Sequence, residues 1–174
     1  MPGLSENDAA AALYRDLPDA LWVHPQRIDL LRDALLTVRL DPRILEQASF
    51  LDDRIVARDM AAGWFSWSQV AQRLGASAVA TPAHYLFHVG HCGSTLISRL
   101  LGELGVTQLR EPLPLRTLAE ASDVLGQPES LLSEPQFELV LDTFVRLWSR
   151  GYATTRCVVL KLSGESFAHT GERG

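Results

Sequence analysis

The spacing of apolar residues predicts short helices in the first 75 residues of the chain. Pro25 suits a first helical turn. It is followed by apolar residues that would share one helical stripe, namely Ile28, Leu31, Leu35 and Val38. This stripe predicts an amphipathic helix after Pro25.

Capping signals predict where further helices of this region begin and end. Asp41 before Pro42 is typical of a helix start. Ser66 with Gln69 forms a capping-box pattern, and Gly75 is suited to a helix end. We therefore expect a helical N-terminal region over residues 1–80.

The second part of the chain, residues 81–174, alternates between strand and helix patterns. Tyr85 to Val89 is apolar apart from His88, which predicts a strand covered on both faces. The helix expected from Ser94 to Leu104 would turn its apolar residues inward, namely Leu96, Ile97, Leu100, Leu101 and Leu104. A strand, two helices and a strong strand are then predicted at residues 106–109, 113–125, 135–150 and 155–162. This order predicts an α/β fold with a parallel sheet.

The segment WFSW, residues 64–67, places two tryptophans and a phenylalanine together in the N-terminal region. Aromatic side chains mostly serve cores. We therefore interpret this segment as packing against the following domain.

Composition narrows the class of protein. The chain has 174 residues, 47% of them hydrophobic, and a formal net charge of −5. Disorder as the overall state and nucleic-acid binding through phosphate contacts are both disfavoured. The sequence shows no signal peptide and no apolar run of transmembrane length, so we expect a cytoplasmic protein without membrane contacts. Cys92 and Cys157 match no metal spacing, and no metal site is predicted.

The stretch GHCGST, residues 90–95, joins the first strand of the second part to its helix. Free backbone N–H groups and the helix dipole at such a joint bind anions. Glycines allow a close backbone approach, and the hydroxyls of Ser94 and Thr95 add donors. The stretch therefore has the chemistry of a phosphate-binding loop.

This stretch differs from the loop of nucleoside-triphosphate hydrolases. That motif requires G-x-x-x-x-G-K-[ST]. Gly90 and Gly93 stand too close together, and no lysine precedes Ser94. ATP or GTP hydrolysis is correspondingly disfavoured.

FHVGHCGSTLISRLL resembles the phosphosulfate-binding loop of sulfotransferases, a P-[KR]-S-G-T-[TS]-L-like turn after a strand. On this alignment the loop ligands are Gly90, His91, Cys92, Gly93, Ser94 and Thr95, with His91 at the family's basic position. LREPLPLR continues the resemblance, because Glu111 fits the position of the general base in several sulfotransferase groups. TRCVVLKL is similar to the family's next core strand, so the match covers roughly residues 84–162.

The resemblance implies a P-loop-type three-layer sandwich that binds 3′-phosphoadenosine 5′-phosphosulfate (PAPS). His91 would then assist the leaving oxygen, and Glu111 would accept a proton from a hydroxyl or amine acceptor. The family's later arginine and serine, which bind the 3′-phosphate, have no counterpart after Lys161. We therefore expect an incomplete sheet and a chain that carries only the front half of such a site.

Several residues are open to two interpretations. Ser94 and Thr95 fit an anion site or a simple helix cap, and His91 fits a ligand or an exposed loop residue. Glu111 fits a general base or a solvated charge before a proline. Cys92 would be a nucleophile only with a lowered pKa.

Other polar residues lie near the predicted site. Arg110 and Arg116 fit anion ligands or surface charges. Lys161 ends a buried strand and is expected to point into the cleft beyond the sheet's carboxyl edge. His84 and His88 share a strand face, where packing is favoured over metal binding.

Three functions remain open at this point. The first is a sulfotransferase-like enzyme that uses PAPS. The second is an inactive or truncated relative that acts as an interaction protein through residues 1–75. The third is a small-molecule kinase with a degenerate loop, which the missing lysine disfavours. The acceptor and the oligomeric state do not follow from the sequence.

Overall fold

The computed structural model describes residues 6–75, 82–89, 92–150 and 157–163. The helices are α1 (Glu6–Asp16), α2 (Pro42–Gln47), α3 (Trp67–Leu74), α4 (Ser94–Glu103), α5 (Leu113–Asp123) and α6 (Glu134–Trp148). The strands are β1 (Val23–Asp29), β2 (Ala34–Arg39), β3 (Ala62–Ser66), β4 (Ala83–His88), β5 (Thr107–Arg110) and β6 (Val158–Ser163). A 3₁₀ turn covers Asp53–Ile55. Among the helices of these residues, none has the length and apolar character needed to cross a bilayer.

An antiparallel sheet in the order β1–β2–β3 forms the centre of the N-terminal region. The helix predicted after Pro25 is therefore wrong. Ile28 on β1 pairs with Leu35 on β2, and both side chains are buried. Leu31, the other member of the expected stripe between them, is 81% exposed in the connecting turn.

The turn between β1 and β2 explains why a hairpin forms here. One Asp29 carboxylate oxygen accepts hydrogen bonds from the N–H groups of Leu31 and Arg32, which is an Asx-type turn. Asp33 adopts φ 52°, a left-handed conformation that aspartate tolerates better than most residues. Pro25 lies where the β1–β2 register shifts, a position at which a strand can hold a proline.

The predicted capping signals around α2 and α3 are confirmed. An Asp41 carboxylate oxygen accepts from Arg43 N–H at 2.8 Å at the start of α2. Ser66 and Gln69 form a reciprocal capping box at the start of α3, and Gly75 ends that helix with φ 51°. The capping residues therefore predicted correctly where α2 begins and where α3 begins and ends.

The second part of the chain contains the predicted parallel sheet, in the order β4–β6–β5. The fold is therefore α/β, with helices, one parallel sheet and one antiparallel sheet. The finer three-layer arrangement of a P-loop sandwich stays a prediction. Central strand β6 buries Val158, Leu160 and Leu162 in the main core.

Two expectations about burial in this part are wrong. β4 is an edge strand among the described residues, and Phe87 is 61% exposed. The apolar stripe of α4 also faces outward, with Leu96 64% and Leu104 67% exposed. α4 instead buries Ser94 and Ser98. Ser98 faces the sheet because Gln108 and Arg110 on β5 present polar side chains that bond to its hydroxyl.

The core runs through both parts of the chain. One cluster of buried side chains includes Leu17 and Leu35 from the N-terminal region with Leu109 and Leu160 from the parallel sheet. The division of the chain at residue 80 into two domains stays a prediction.

Trp67 joins the two parts. It is 2% exposed, and its ring meets Phe144 of α6 edge-on at a centroid distance of 5.2 Å. Phe144 in turn stacks on Trp148 at 4.6 Å. The interpretation that the WFSW segment packs against the following region is confirmed for Trp67, whereas Trp64 is 49% exposed.

Arg150 is a buried cation that bonds to the first residue of β1. Arg150 is 5% exposed, and its guanidinium donates to main-chain carbonyl oxygens, namely those of Leu17, Ala20, Val23 and Leu147. His24 is also buried, and its Nε2 has no hydrogen-bond partner among the described residues. Burial, and then the positive charge of Arg150, lowers the pKa of His24 to about 3. The ring is therefore neutral in the folded chain.

We expect His24 to make the protein acid-sensitive. The unfolded chain binds a proton at this ring near pH 6.5, whereas the folded chain binds it only near pH 3. The stability associated with the neutral ring is thus present above pH 6.5 and falls by up to about 1.4 kcal/mol per pH unit between these values. Urea unfolding from pH 7 to pH 4 measures this slope. His24→Leu should flatten it, whereas replacement of His84, exposed on β4, should not.

An equal slope in the parent protein and in His24→Leu would contradict the assignment of acid sensitivity to His24. The comparison must be made in the same buffer series, because the slope is read from differences in unfolding free energy.

Candidate functional site

Three polar side chains meet at the carboxyl edge of the parallel sheet. His88 is the last residue of β4, Glu111 directly follows β5, and Lys161 lies in the carboxyl half of β6. Ligands of parallel α/β sheets bind beyond this edge. Lys161 contacts Thr95 and Glu111, in agreement with the expectation that it points towards this edge.

Lys161 is the central cation of this group. Its side chain is 2% exposed. Nζ lies 3.1 Å from Glu111 Oε1 and donates to Thr95 Oγ1 at 3.2 Å. Nζ also lies 5.7 Å from the centre of the Phe50 ring. Lys161 therefore connects the start of α4 to the end of β5.

Glu111 is held in an uncommon backbone conformation. Its φ is 49°, in the left-handed region that non-glycine residues rarely adopt. Its N–H donates to Lys161 O at 2.9 Å, which extends the β5–β6 ladder by one bond. Such strain persists where surrounding contacts determine the conformation, and it is often found at functional sites.

His88 completes the group. Its Nε2 lies 3.0 Å from Glu111 Oε1, and its Nδ1 lies 3.1 Å from Val89 O. Sequence reasoning missed this residue and favoured packing for it. The signal that could have found it is the one used for Lys161, namely a polar residue at the carboxyl end of a parallel strand.

The start of α4 provides backbone donors beside this group. Gly93 precedes the helix with φ 81°, and Leu96 N–H donates to Gly93 O at 2.9 Å. The N–H groups of Ser94 and Thr95 come before this first helical bond and so have no helical acceptor. Helix N-termini of this kind favour anions.

The structure describes four of the six predicted loop ligands, namely Cys92, Gly93, Ser94 and Thr95. Gly90 and His91 lie outside the described residues. Cys92 is exposed. Ser94 is buried, at 6% exposure. Thr95 is the one described loop residue with a hydrogen bond to the group at the carboxyl edge.

A second cation, Arg54, also lies near the Phe50 ring. The guanidinium carbon of Arg54 is 4.3 Å from the centre of the Phe50 ring. Arg54 Nε donates to Asp52 Oδ1 at 2.8 Å, and this hydrogen bond lowers the pKa of the Asp52 carboxyl. Arg54 is therefore partly neutralised by Asp52. Sequence reasoning gave no role to residues 50–54, because their approach to Lys161 depends on tertiary structure.

Arg110, expected as a possible anion ligand, is occupied by the protein itself. It is 4% exposed. Nη1 donates to Glu46 O and Ala48 O, both at 2.7 Å, and Nε donates to Ser98 Oγ at 3.0 Å. Burial, followed by repulsion from Arg99, lowers the pKa of Arg110. Arg110 therefore holds α2, α4 and β5 together beneath the site.

The described residues together form a site suited to an oxyanion. A lysine ammonium, a threonine hydroxyl and the free N–H groups of a helix start are all donors. The one carboxylate among them, Glu111, could accept a proton if its present partners released it. Groups with these chemistries bind a phosphate or sulfate and could assist transfer between oxygens.

Comparison of the chain with protein-family models, with curated proteins and with solved structures finds no match. The likeness to sulfotransferases therefore depends on the loop stretch and on the residues around it. Because one fold can host many functions, the function must be argued from the site.

We expect Arg110→Met to lower the free energy of unfolding by about 2–4 kcal/mol, because two main-chain carbonyl oxygens and the Ser98 hydroxyl lose their donor. Arg116→Met is the matched control. Arg116 is exposed, and its replacement should change the stability by no more than about 0.5 kcal/mol. Urea unfolding of both variants measures the difference. Equal effects would show that Arg110 is not the structural link that its contacts indicate.

Proposed function

We propose that this chain is a sulfotransferase-like protein that binds the 5′-phosphosulfate of PAPS at the start of α4. The observation that carries the proposal is the convergence of Lys161 on Thr95 and Glu111, at 3.2 Å and 3.1 Å. Three separate elements thus bring a cation, a hydroxyl and a carboxylate to the carboxyl edge of one parallel sheet. These are the residue types that anion binding and proton removal need at one place.

Lys161 supplies a positive charge that the loop itself lacks. The loop contains no lysine, and its basic position is His91. Lys161 approaches the loop from β6 and reaches the hydroxyl of Thr95, the last residue of GHCGST. In this proposal Lys161 and the first N–H groups of α4 hold the anion and neutralise the charge that develops on it.

Glu111 takes the role of proton acceptor. When bound, the phosphosulfate supplies a sulfuryl group, which an acceptor oxygen or nitrogen attacks as the sulfur–oxygen bond to phosphate breaks. Glu111 Oε1, within 3.1 Å of Lys161, removes the acceptor's proton. His91 assists the leaving oxygen, in line with its position in the loop.

The fit to PAPS covers one part of that molecule. The donors at α4 and Lys161 suit the phosphosulfate. In this proposal no residue is assigned to the 3′-phosphate. The acceptor is a hydroxyl or amine that the site does not identify.

One observation favours a second candidate, an interaction protein without catalytic activity. The outward faces of β4 and α4 expose large apolar side chains, such as Phe87 and Leu100 at 61% and 58%. Exposed apolar patches commonly mark protein contacts. A stable fold that binds no nucleotide would favour this candidate, whereas sulfuryl transfer from PAPS would exclude it.

We expect the protein to bind 3′-phosphoadenosine 5′-phosphate (PAP), the product form of the cofactor, at one site. Calorimetric titration in sulfate-free buffer measures the affinity, because free sulfate would compete for the same donors. A titration of the full chain that gives no heat and no shift in thermal unfolding would contradict the proposal.

We expect Gly93→Val to weaken PAP binding by at least about tenfold, which corresponds to about 1.4 kcal/mol. A Cβ at Gly93 meets no other atom of the described chain within 4 Å, so no clash within the protein is involved. The loss would come from the φ of 81°, which valine resists, and from the intrusion of a side chain on the anion. The strain itself costs about 1–3 kcal/mol of stability.

Gly105→Val is the matched control. Gly105 lies just beyond the other end of α4, has φ 75°, and also has open space around its Cβ position. It should lose similar stability but keep PAP affinity. If Gly93→Val binds as well as the parent, Gly93 serves only to start the helix. Equal loss of binding in both variants would assign the effect to folding.

A further inference from the structure

One carboxylate oxygen of Glu111 is shared by two basic side chains. Oε1 lies 3.1 Å from Lys161 Nζ and 3.0 Å from His88 Nε2. The side chains of Lys161, His88 and Glu111 are only 2%, 9% and 15% exposed. The pairing is therefore shielded from solvent. Ion pairs in the protein interior are stronger than ion pairs at a surface.

Both ring nitrogens of His88 face oxygen atoms. Nδ1 faces Val89 O, and Nε2 faces the Glu111 carboxylate. An imidazole N–H is a donor, and an ionised carboxylate is an acceptor. Lys161 and His88 therefore place two basic nitrogen atoms against the same carboxylate oxygen.

One further cation acts on Glu111. Arg54 interacts favourably with Glu111 over a longer distance, and it is itself paired with Asp52. The side chains that lie within hydrogen-bond distance of the Glu111 carboxylate among the described residues are basic, and basic donors also suit an oxyanion.

We propose that Glu111 is an internal substitute for the anion, and that an incoming phosphate or sulfate group displaces its carboxylate from Lys161 and His88. A carboxylate oxygen and a phosphate oxygen are equivalent acceptors for these donors. The displaced carboxylate becomes free to take a proton only once the anion is bound. This inference rests on the proposed function, and it makes the anion the first ligand to bind.

The backbone around Glu111 is compatible with such an exchange. Its main chain is fixed by the hydrogen bond from its N–H to Lys161 O, which does not involve the carboxylate. Lys161 is also held by Thr95, so the ammonium keeps one partner at the start of α4 when the carboxylate leaves. Only the side chain of Glu111 has to move.

The test compares PAP affinity between the parent protein and Glu111→Gln by calorimetry. Removal of the competing charge should tighten binding about three- to tenfold. Glu103→Gln, at the other end of α4, removes the same charge from an exposed position and should leave the affinity unchanged. Glu111→Asn is a second variant, because asparagine tolerates a positive φ better than most residues.

Each possible result of these titrations either supports or overturns the inference. Binding to Glu111→Gln that equals or falls below the parent's overturns the inference and leaves nucleotide binding intact. Tighter binding to Glu111→Gln than to the parent, with unchanged binding to Glu103→Gln, supports the inference. Absence of binding in all forms overturns the proposed function and the inference with it. Failure of both variants to fold also overturns it, because a displaceable carboxylate cannot be essential to the fold.

The parent protein offers an independent measurement. Lys161 is the only lysine in the chain, so labelling with ¹⁵N-lysine places one side-chain ammonium signal in the NMR spectrum. This signal should shift on addition of PAP as the partner of Nζ changes from carboxylate to phosphate. PAP that binds without moving this signal would overturn the inference while leaving nucleotide binding intact.

Discussion

The need to find partners for the Lys161 ammonium determines the structure around the sheet's carboxyl edge. Lys161 lies on the central strand and is 2% exposed, so its charge cannot be left to solvent. A buried charge without partners is strongly destabilising. Thr95 and Glu111 meet this requirement from α4 and from the end of β5. In its left-handed backbone conformation Glu111 also donates its main-chain N–H to Lys161 O, so it contacts Lys161 through both its side chain and its backbone.

The packing of α4 follows from a second set of buried polar groups. Gln108 and Arg110 lie on the sheet face beneath this helix, and both bond to Ser98. α4 therefore turns its hydroxyl-bearing side to the sheet and its leucines outward. The sequence predicted the helix correctly from its apolar spacing, but spacing alone assigns the apolar side to the core. Only knowledge of the polar residues on the neighbouring strand could have reversed that assignment.

Local patterns predicted most of the parallel sheet, its helices and part of the site, while tertiary contacts decided the rest. Thr95 was expected from the loop motif, Glu111 from the resemblance of LREPLPLR to sulfotransferases, and Lys161 from its place at a strand end. His88 was missed because a histidine in an apolar strand is equally typical of packing. The β1–β2 hairpin was missed because Ile28 and Leu35 have a helical spacing, although they are cross-strand partners here.

The N-terminal region takes part in building the candidate site. Leu51 N–H donates to Arg110 O, and Leu113 N–H donates to Leu51 O, so the chain after α2 is bonded to both sides of Glu111. This connection brings Phe50 against the Lys161 ammonium. An aromatic face beside a buried cation stabilises its charge without competing as a hydrogen-bond acceptor. Lys161 therefore keeps its N–H groups for oxygen ligands, and exchange of one oxygen ligand for another requires no change in the N-terminal region.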